Sequence, residues 1–163
     1  MYSQILRYVE EYLRTHINAS EATVGFYGSF PTINLGQPAI LLEPLIENSE
    51  AHSNVWNKGE FNIRIWIMVS MDLDYLDSLE QLEHLLGAED ESQEIVGLSA
   101  ALKDLRRDPG YNALNGKTGG SRWRIGPRGL RTKGPKFGIS VRSNGSKINT
   151  AQLELFVSIE TEQ

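Results

Sequence analysis

Phe61-Asn62-Ile63-Arg64-Ile65-Trp66-Ile67-Met68-Val69-Ser70 puts an apolar residue at every odd position and a different class of residue at most even ones. Successive side chains of an extended chain point to opposite faces, so this period of two predicts a half-buried strand. Phe61, Ile63, Ile65, Ile67 and Val69 face inward. The run is too short, and too interrupted by Asn62 and Arg64, to cross a bilayer.

The elements on either side come next. Upstream, Ser3 is placed to cap a helix in which Ile5, Leu6, Val9, Leu13 and Ile17 recur at helical spacing. Charged residues inside that pattern argue against a signal peptide. Val24 to Phe30 has strand composition ended by Pro31, and Pro38 opens a short apolar strand, Ala39-Ile40-Leu41-Leu42, closed by Pro44. Glu47 to Gly59 is polar, with turn signals, and reads as a loop. Downstream, Asp72 or Asp74 starts a helix with Leu73, Leu76, Leu79, Leu82 and Leu86 on one face, broken at Gly87 and Glu89-Asp90-Glu91. Ser92 is placed to cap another helix, carrying Ile95, Leu98, Leu102 and Leu105 and stopped by Asp108-Pro109-Gly110. Near the end, Lys136 to Arg142 and Ile148 to Thr161 read as a hairpin around Ser143-Asn144-Gly145-Ser146. Leu153, Leu155, Val157 and Ile159 point in, and Glu154, Ser158 and Glu160 point out. These elements predict an α+β fold: a mixed, mainly antiparallel sheet of about four to five strands, two to three helices packed on it, and a long basic loop. All 163 residues form one domain, with a glycine-rich basic insertion at about 110–135.

That insertion carries the charge anomaly. From Lys103 to Lys147 there are 12 basic and 2 acidic residues, a net of +10; the remainder has 4 and 19, a net of −15. Between Asp108 and Glu154 lie nine basic residues, nine glycines and no carboxylate. No sustained period of either kind runs through Gly110 to Pro135, so a loop is predicted, and long structureless loops in compact domains are usually functional or disordered. The densest part is Ser121-Arg122-Trp123-Arg124-Ile125-Gly126-Pro127-Arg128-Gly129-Leu130-Arg131. Arginine binds phosphate or carboxylate in bidentate fashion, and tryptophan stacks on a base or fills a partner's pocket. Arg122, Trp123, Arg124, Arg128, Arg131, Lys133 and Lys136 are therefore the candidate contact residues. Three uses remain open: contact with another subunit, binding of nucleic acid, or a solvated loop whose tryptophan folds back on its own core.

Other chemistry is poorly represented. Cysteine is absent, which removes disulfides and thiolate sites and suits a reducing compartment. His16, His52 and His84 have no metal-ligand spacing. Asn115-Gly116-Lys117-Thr118 resembles the end of a phosphate-binding loop, but Tyr111 stands where its first glycine belongs. Asn144-Gly145-Ser146 fits a glycosylation pattern yet reads as a turn. No nucleophile, base and orienting group can be argued together, so no catalytic residue, metal or cofactor is expected, nor a membrane partner.

In element order the chain resembles the tail-completion or tail-terminator proteins of tailed bacteriophages. Four stretches carry the likeness: the first helix leading into Val24-Gly25-Phe26-Tyr27-Gly28-Ser29-Phe30-Pro31; Pro38-Ala39-Ile40-Leu41-Leu42-Glu43-Pro44; Glu60 to Val69 running into a leucine helix; and Gln152-Leu153-Glu154-Leu155-Phe156-Val157-Ser158-Ile159. The basic segment is an elaboration on that pattern. The resemblance implies a non-enzymatic structural virion protein. It would form a homo-oligomeric ring, commonly of six, that caps the tail tube and joins it to the neck or head connector, after assembly in the host cytoplasm. Its partners would be the tail tube protein and the neck protein, with nonspecific contact to DNA passing through the lumen as a second use of the arginines. A nucleic-acid-binding module, or another neck or baseplate connector, is the alternative.

Overall fold

The computed structural model describes residues 1–28, 37–45, 48–51, 56–71, 74–87, 97–141 and 145–162. In chain order the elements are α1 (Tyr2–His16), β1 (Thr23–Phe26), β2 (Ala39–Pro44), β3 (Asn48–Ala51), β4 (Trp56–Ser70), α2 (Tyr75–Leu86), α3 (Leu98–Arg107), α4 (Pro109–Asn112), β5 (Asn115–Thr118), β6 (Ser121–Val141) and β7 (Lys147–Glu162). The strands form one seven-stranded sheet in the order β1-β2-β4-β7-β6-β5, with β3 also paired to β4. β1 runs parallel to β2, and the other pairings are antiparallel.

This corrects the expected architecture of four to five strands and a long basic loop. The predicted loop over Gly110 to Pro135 is instead the short helix α4, the strand β5 and most of the 21-residue β6. Asp108 starts that segment by accepting a 2.9 Å hydrogen bond from the Tyr111 amide. Its carboxylate also accepts from the Tyr8 hydroxyl, which ties the segment's base to α1. The polar stretch Glu47 to Gly59 likewise contains β3 and the start of β4.

β6 is a strand without a sustained period of two, and its pairing shows why. Ile125 pairs with Ile159 and Leu130 with Val157, so five steps along β6 match two along β7. A second register shift falls between Lys133 and Lys136. Each bulge inserts unpaired residues and reverses the parity of the residues beyond it. Trp123 and Ile125 point inward, then Leu130, and beyond the second bulge Phe137 and Ile139 lie on that same face. Gly129 (φ 68°) and Gly134 (φ 113°) occupy the backbone region that the bulges require.

Most apolar burial lies on one face of the sheet, and a smaller buried cluster of Ala39, Leu41, Met68 and Ile148 lies on the other. Phe61, Ile63, Ile65 and Ile67 of β4 and Leu155 and Val157 of β7 pack with Ile5, Val9 and Leu13 of α1 and with Leu82, Leu98 and Leu105 of the other helices. Ile65 and Leu155 are fully buried. The cap of α1 differs from expectation. Met1 rather than Ser3 occupies the position before α1 and makes no side-chain cap bond. Asp74, one of the two residues expected to start α2, does precede it, without a side-chain cap bond. Asp72, Leu73, Glu89 to Glu91, Ser92 and Ile95 lie outside the described residues, as do the predicted strand end Ser29-Phe30-Pro31 and Ser143-Asn144 of the expected turn.

The leucine stripe of α2 is also displaced. Leu82, Leu85, Leu86 and Ser78 are buried, whereas Leu76 is exposed and Leu79 half-buried. Leucines three apart drift around a helix of 3.6 residues per turn, so one packing face cannot take them all. Gly87 ends α2 with a left-handed φ of 77°. It lies against Gly97 at the start of α3, so closely that a Cβ on Gly97 would collide with the Gly87 backbone.

Candidate interaction surface

The helices cover the face that carries Ile63 and Ile65. The opposite face carries the even positions of β4 and their partners, and there the basic residues of β6 meet the acids of the sheet. Arg124 pairs with Glu160 across the β6–β7 ladder. Its Nε and Nη2 donate to Glu160 Oε2 at 3.0 and 2.7 Å, and its guanidinium lies 4.2 Å from the Trp56 ring centre. Glu160 points away from the helices, yet its side chain is only 7% exposed. Arg131 bonds Glu60 and lies 5.2 Å over Phe156. Arg122 approaches Glu162 at 3.8 Å but stays exposed. Farther along the same face, Arg64 links Glu43 at 3.3 Å and Glu154 at 3.9 Å. The result is a ladder of alternating charge over four strands, with aromatic rings between the rungs.

Three of the candidate cations, Arg122, Arg124 and Arg131, are thus partnered within the chain. Trp123 is on the other face altogether. It is 1% exposed, packs in the main core and lies against Gly116, where a Cβ would meet its Nε1 at 2.8 Å. It is not presented to a neighbour. Arg128 falls between the register points Ile125 and Leu130. Lys133 and Lys136 stand opposite Glu154 and Gln152 in the ladder, fully on the surface, with no ion pair among the described residues.

The charge division therefore cancels in part inside one chain, which counting charges along the sequence could not reveal. The outward positions of Glu154 and Glu160 were legible from the period of β7. That Arg124, thirty-six residues away, would reach Glu160 was not, because the register of β6 depends on its bulges.

A second feature had no signal in the sequence. A depression of about 400 Å³ between α2 and the start of β2 is lined by Ser20, Glu21, Gln37, Pro38, Gln81, His84 and Leu85. His84 Nε2 sits 3.4 Å from Glu21 Oε1, both well exposed. The Ser20 hydroxyl donates instead to Asn18 Oδ1 at 2.9 Å, so serine, histidine and glutamate do not form a relay. Among the described residues no group of three His, Asp or Glu side chains is arranged to hold a metal, and no helix is long and apolar enough to cross a membrane. The resolved pKa shifts lie elsewhere: the Tyr8 phenol is pushed up to about 12, chiefly by its hydrogen bond to Asp108, and burial raises Tyr12 and Tyr111.

The last part of β6 differs from all of this. From Arg131 to Val141 every residue is exposed, although the strand is paired with β7 throughout except at its bulge. β5 covers the outer edge of β6 only at Ser121 to Arg124. Beyond it, alternate residues turn N–H and C=O groups toward no partner strand among the described residues. Phe137, Ile139 and Val141 stand there 52%, 53% and 66% exposed.

No protein-family model and no curated protein matches this sequence.

Proposed function

We propose that the protein is a structural assembly subunit, a tail-terminator-like component of a tailed-phage virion. In this reading copies form a ring, with six favoured, that caps the tail tube and meets the neck. The observation that carries the assembly part is the stretch Arg131–Val141, a paired strand exposed at every position. A strand of that length, carrying three bare apolar side chains and adding little to the core, is accounted for by contact with another molecule. The phage part rests on the resemblance in element order. α1, β1, β2, β4 and β7 occupy the four stretches that carry it.

Nucleic acid is the weaker reading for the basic residues. Arg122, Arg124 and Arg131 already face Glu162, Glu160 and Glu60, so binding phosphate would mean breaking contacts within the subunit. The test is the mass of the purified chain in solution with electron microscopy of the same sample, alongside duplex-DNA binding at several salt concentrations. Closed rings near six times 18.3 kDa, with weak DNA affinity at physiological salt, are expected. A monomer at every concentration sinks the reading. So does tight DNA binding that falls with salt at a log–log slope of about −0.9 per phosphate.

A further inference from the structure

Among the described residues six large apolar side chains stand exposed, and four of them lie at the two opposite edges of the sheet. Phe137, Ile139 and Val141 are on the open arm that ends β6, and Phe26 ends β1. All four are on the face that the helices cover elsewhere. Phe26 is in register with Leu42 and Phe137 with Ala151, and both partners belong to the main core. Sheet edges that must stay solitary are usually guarded by charge, proline or bulges. Phe137–Val141 and Thr23–Phe26 contain none of these.

The backbones of the two edges match as well. Alternate residues of a paired strand bond to opposite sides. The Met71 amide donates to the Lys147 carbonyl at 3.1 Å, so the odd residues of β7 serve β4 and the even ones serve β6. Gly138 and Ser140, opposite Thr150 and Ile148, therefore bond β7, and Phe137, Ile139 and Val141 turn N–H and C=O out of the sheet. In β1 the Thr23 amide donates to the Pro38 carbonyl at 2.9 Å, so Thr23 and Gly25 serve β2 while Val24 and Phe26 face outward. At both edges the outward backbone thus belongs to residues whose side chains lie on the helix face. β1 and β6 also run in opposite directions within the sheet. A second copy placed beside the first, with its helices on the same side, would bring its β1 antiparallel to the arm and in bonding register.

We infer that the Phe137–Val141 arm of one copy pairs edge to edge with β1 of the next, so that the sheet continues from copy to copy; this inference rests on the assembly reading. Phe137 then faces Phe26 of the next copy, and Ile139 faces Val24. Val141 reaches a depression of about 270 Å³ that Ile17, Ala19, Ala22 and Val24 help to line. On the other face Gly138 meets Gly25 and Ser140 meets Thr23, small residue against small residue. Arg14 Nη2 donates to the Val24 carbonyl at 3.2 Å, and that oxygen keeps a second lone pair for the Ile139 amide. Other covers fit less well. Pairing of two arms with each other would leave Phe26 and the β1 edge bare, and β3 and β5 each contain a charged residue, Glu50 and Lys117. The contact joins two different surfaces of the same chain. It is therefore heterologous: repeated, it closes into a ring or runs on as a filament.

The experiment is sedimentation of the full-length chain over a wide concentration range, for the wild type, Phe26→Lys, Phe137→Glu, an equimolar mixture of those two, and Ile139→Pro. Circular dichroism melting of dilute samples checks that each variant folds. Proline at position 139 removes an N–H that points out of the edge, so the ladder to β7 is kept. Each variant alone should associate more than about tenfold more weakly than wild type, because an unpaired charge or a missing donor would be enclosed at the seam. The mixture should recover, since the introduced lysine then faces the introduced glutamate and each native phenylalanine faces a native one. If the wild type assembles and Phe26→Lys assembles equally well, this inference is wrong while the assembly reading stands. Loss in both charged variants without recovery in the mixture overturns the pairing of Phe26 with Phe137. A folded Ile139→Pro that assembles like the wild type overturns the edge pairing on its own. A wild type that never associates overturns the assembly reading and this contact together.

Discussion

β4 and β6 flank β7, one on each side, and both pair with it along nearly its whole length. β4 has strands on its other side and helices over its odd face, so Phe61, Ile63, Ile65 and Ile67 are buried. On its other side β6 has only β5 among the described residues, and only at its start. Its first half, with Trp123, Ile125 and Leu130 buried, belongs to the core like β4, whereas Arg131 to Val141 is held by β7 and buries none of its own side chains fully. Backbone pairing is thus enough to fix where a strand lies, but burial decides whether the fold depends on it. Within one strand the chain passes from a part that stabilises the molecule to a part free to bind something else.

The sharpest way to break that division is at Trp123. If the first half of β6 is core, Trp123→Ala should cost about 3–5 kcal/mol in urea or guanidinium unfolding, because it removes the largest fully buried side chain. A cost under about 1 kcal/mol, that of an arbitrary substitution, would return the segment to the status of a detachable loop. Ile65→Ala in β4 should cost about 2–5 kcal/mol by the same mechanism, making the two strands comparable where both are buried.

The same two strands set how far sequence alone could see this division. β4 keeps one parity from Phe61 to Val69, so its period, its inward face and the burial of Ile65 were all readable. β6 changes parity twice, and the glycines that make its bulges lower its apparent strand propensity. Its stretch thus looked like a loop, and Trp123 like a free anchor. Arg122, Arg124, Arg131, Lys133 and Lys136, candidate contact residues from the sequence, are exposed on the sheet. The carboxylate partners of Arg124 and Arg131, Glu160 of β7 and Glu60 of β4, are reached only through the register that β6 takes on β7. β3 was hidden for a different reason: Asn48-Ser49-Glu50-Ala51 has neither branched nor aromatic residues, and pairing to β4 alone imposes the strand.

Smaller effects sharpen the boundary along the charge ladder. Arg124→Ala should destabilise by about 1–3 kcal/mol, because Glu160 is then left covered by the sheet without its donor. Arg131→Ala should cost less than about 1 kcal/mol, since both members of its pair remain substantially in water. Double-mutant cycles with Glu160→Gln and Glu60→Gln isolate the two pair energies. A larger coupling for Arg131 than for Arg124 would place the boundary between core and arm on the wrong side of the first bulge.

The smallest stability effect is expected where the exposed apolar residues are largest. Phe137→Ser and Ile139→Ser should each change unfolding free energy by no more than about 0.5 kcal/mol, because neither side chain loses much buried area. Both should leave the melting curve of the dilute subunit in place. The two residues sit in register with Ala151 and Asn149 of β7, and the Asn149 amide donates to Ser78 of α2 at 3.1 Å, so helix and sheet are already joined beneath them. That bond keeps the local frame intact when Ile139 is truncated. If either substitution destabilised the dilute monomer by several kcal/mol, the arm would be supporting its own subunit and its exposure would be incidental. A neutral effect in the monomer, combined with a clear loss of stability only at concentrations where copies associate, is the pattern that separates a strand kept for folding from one kept for a partner.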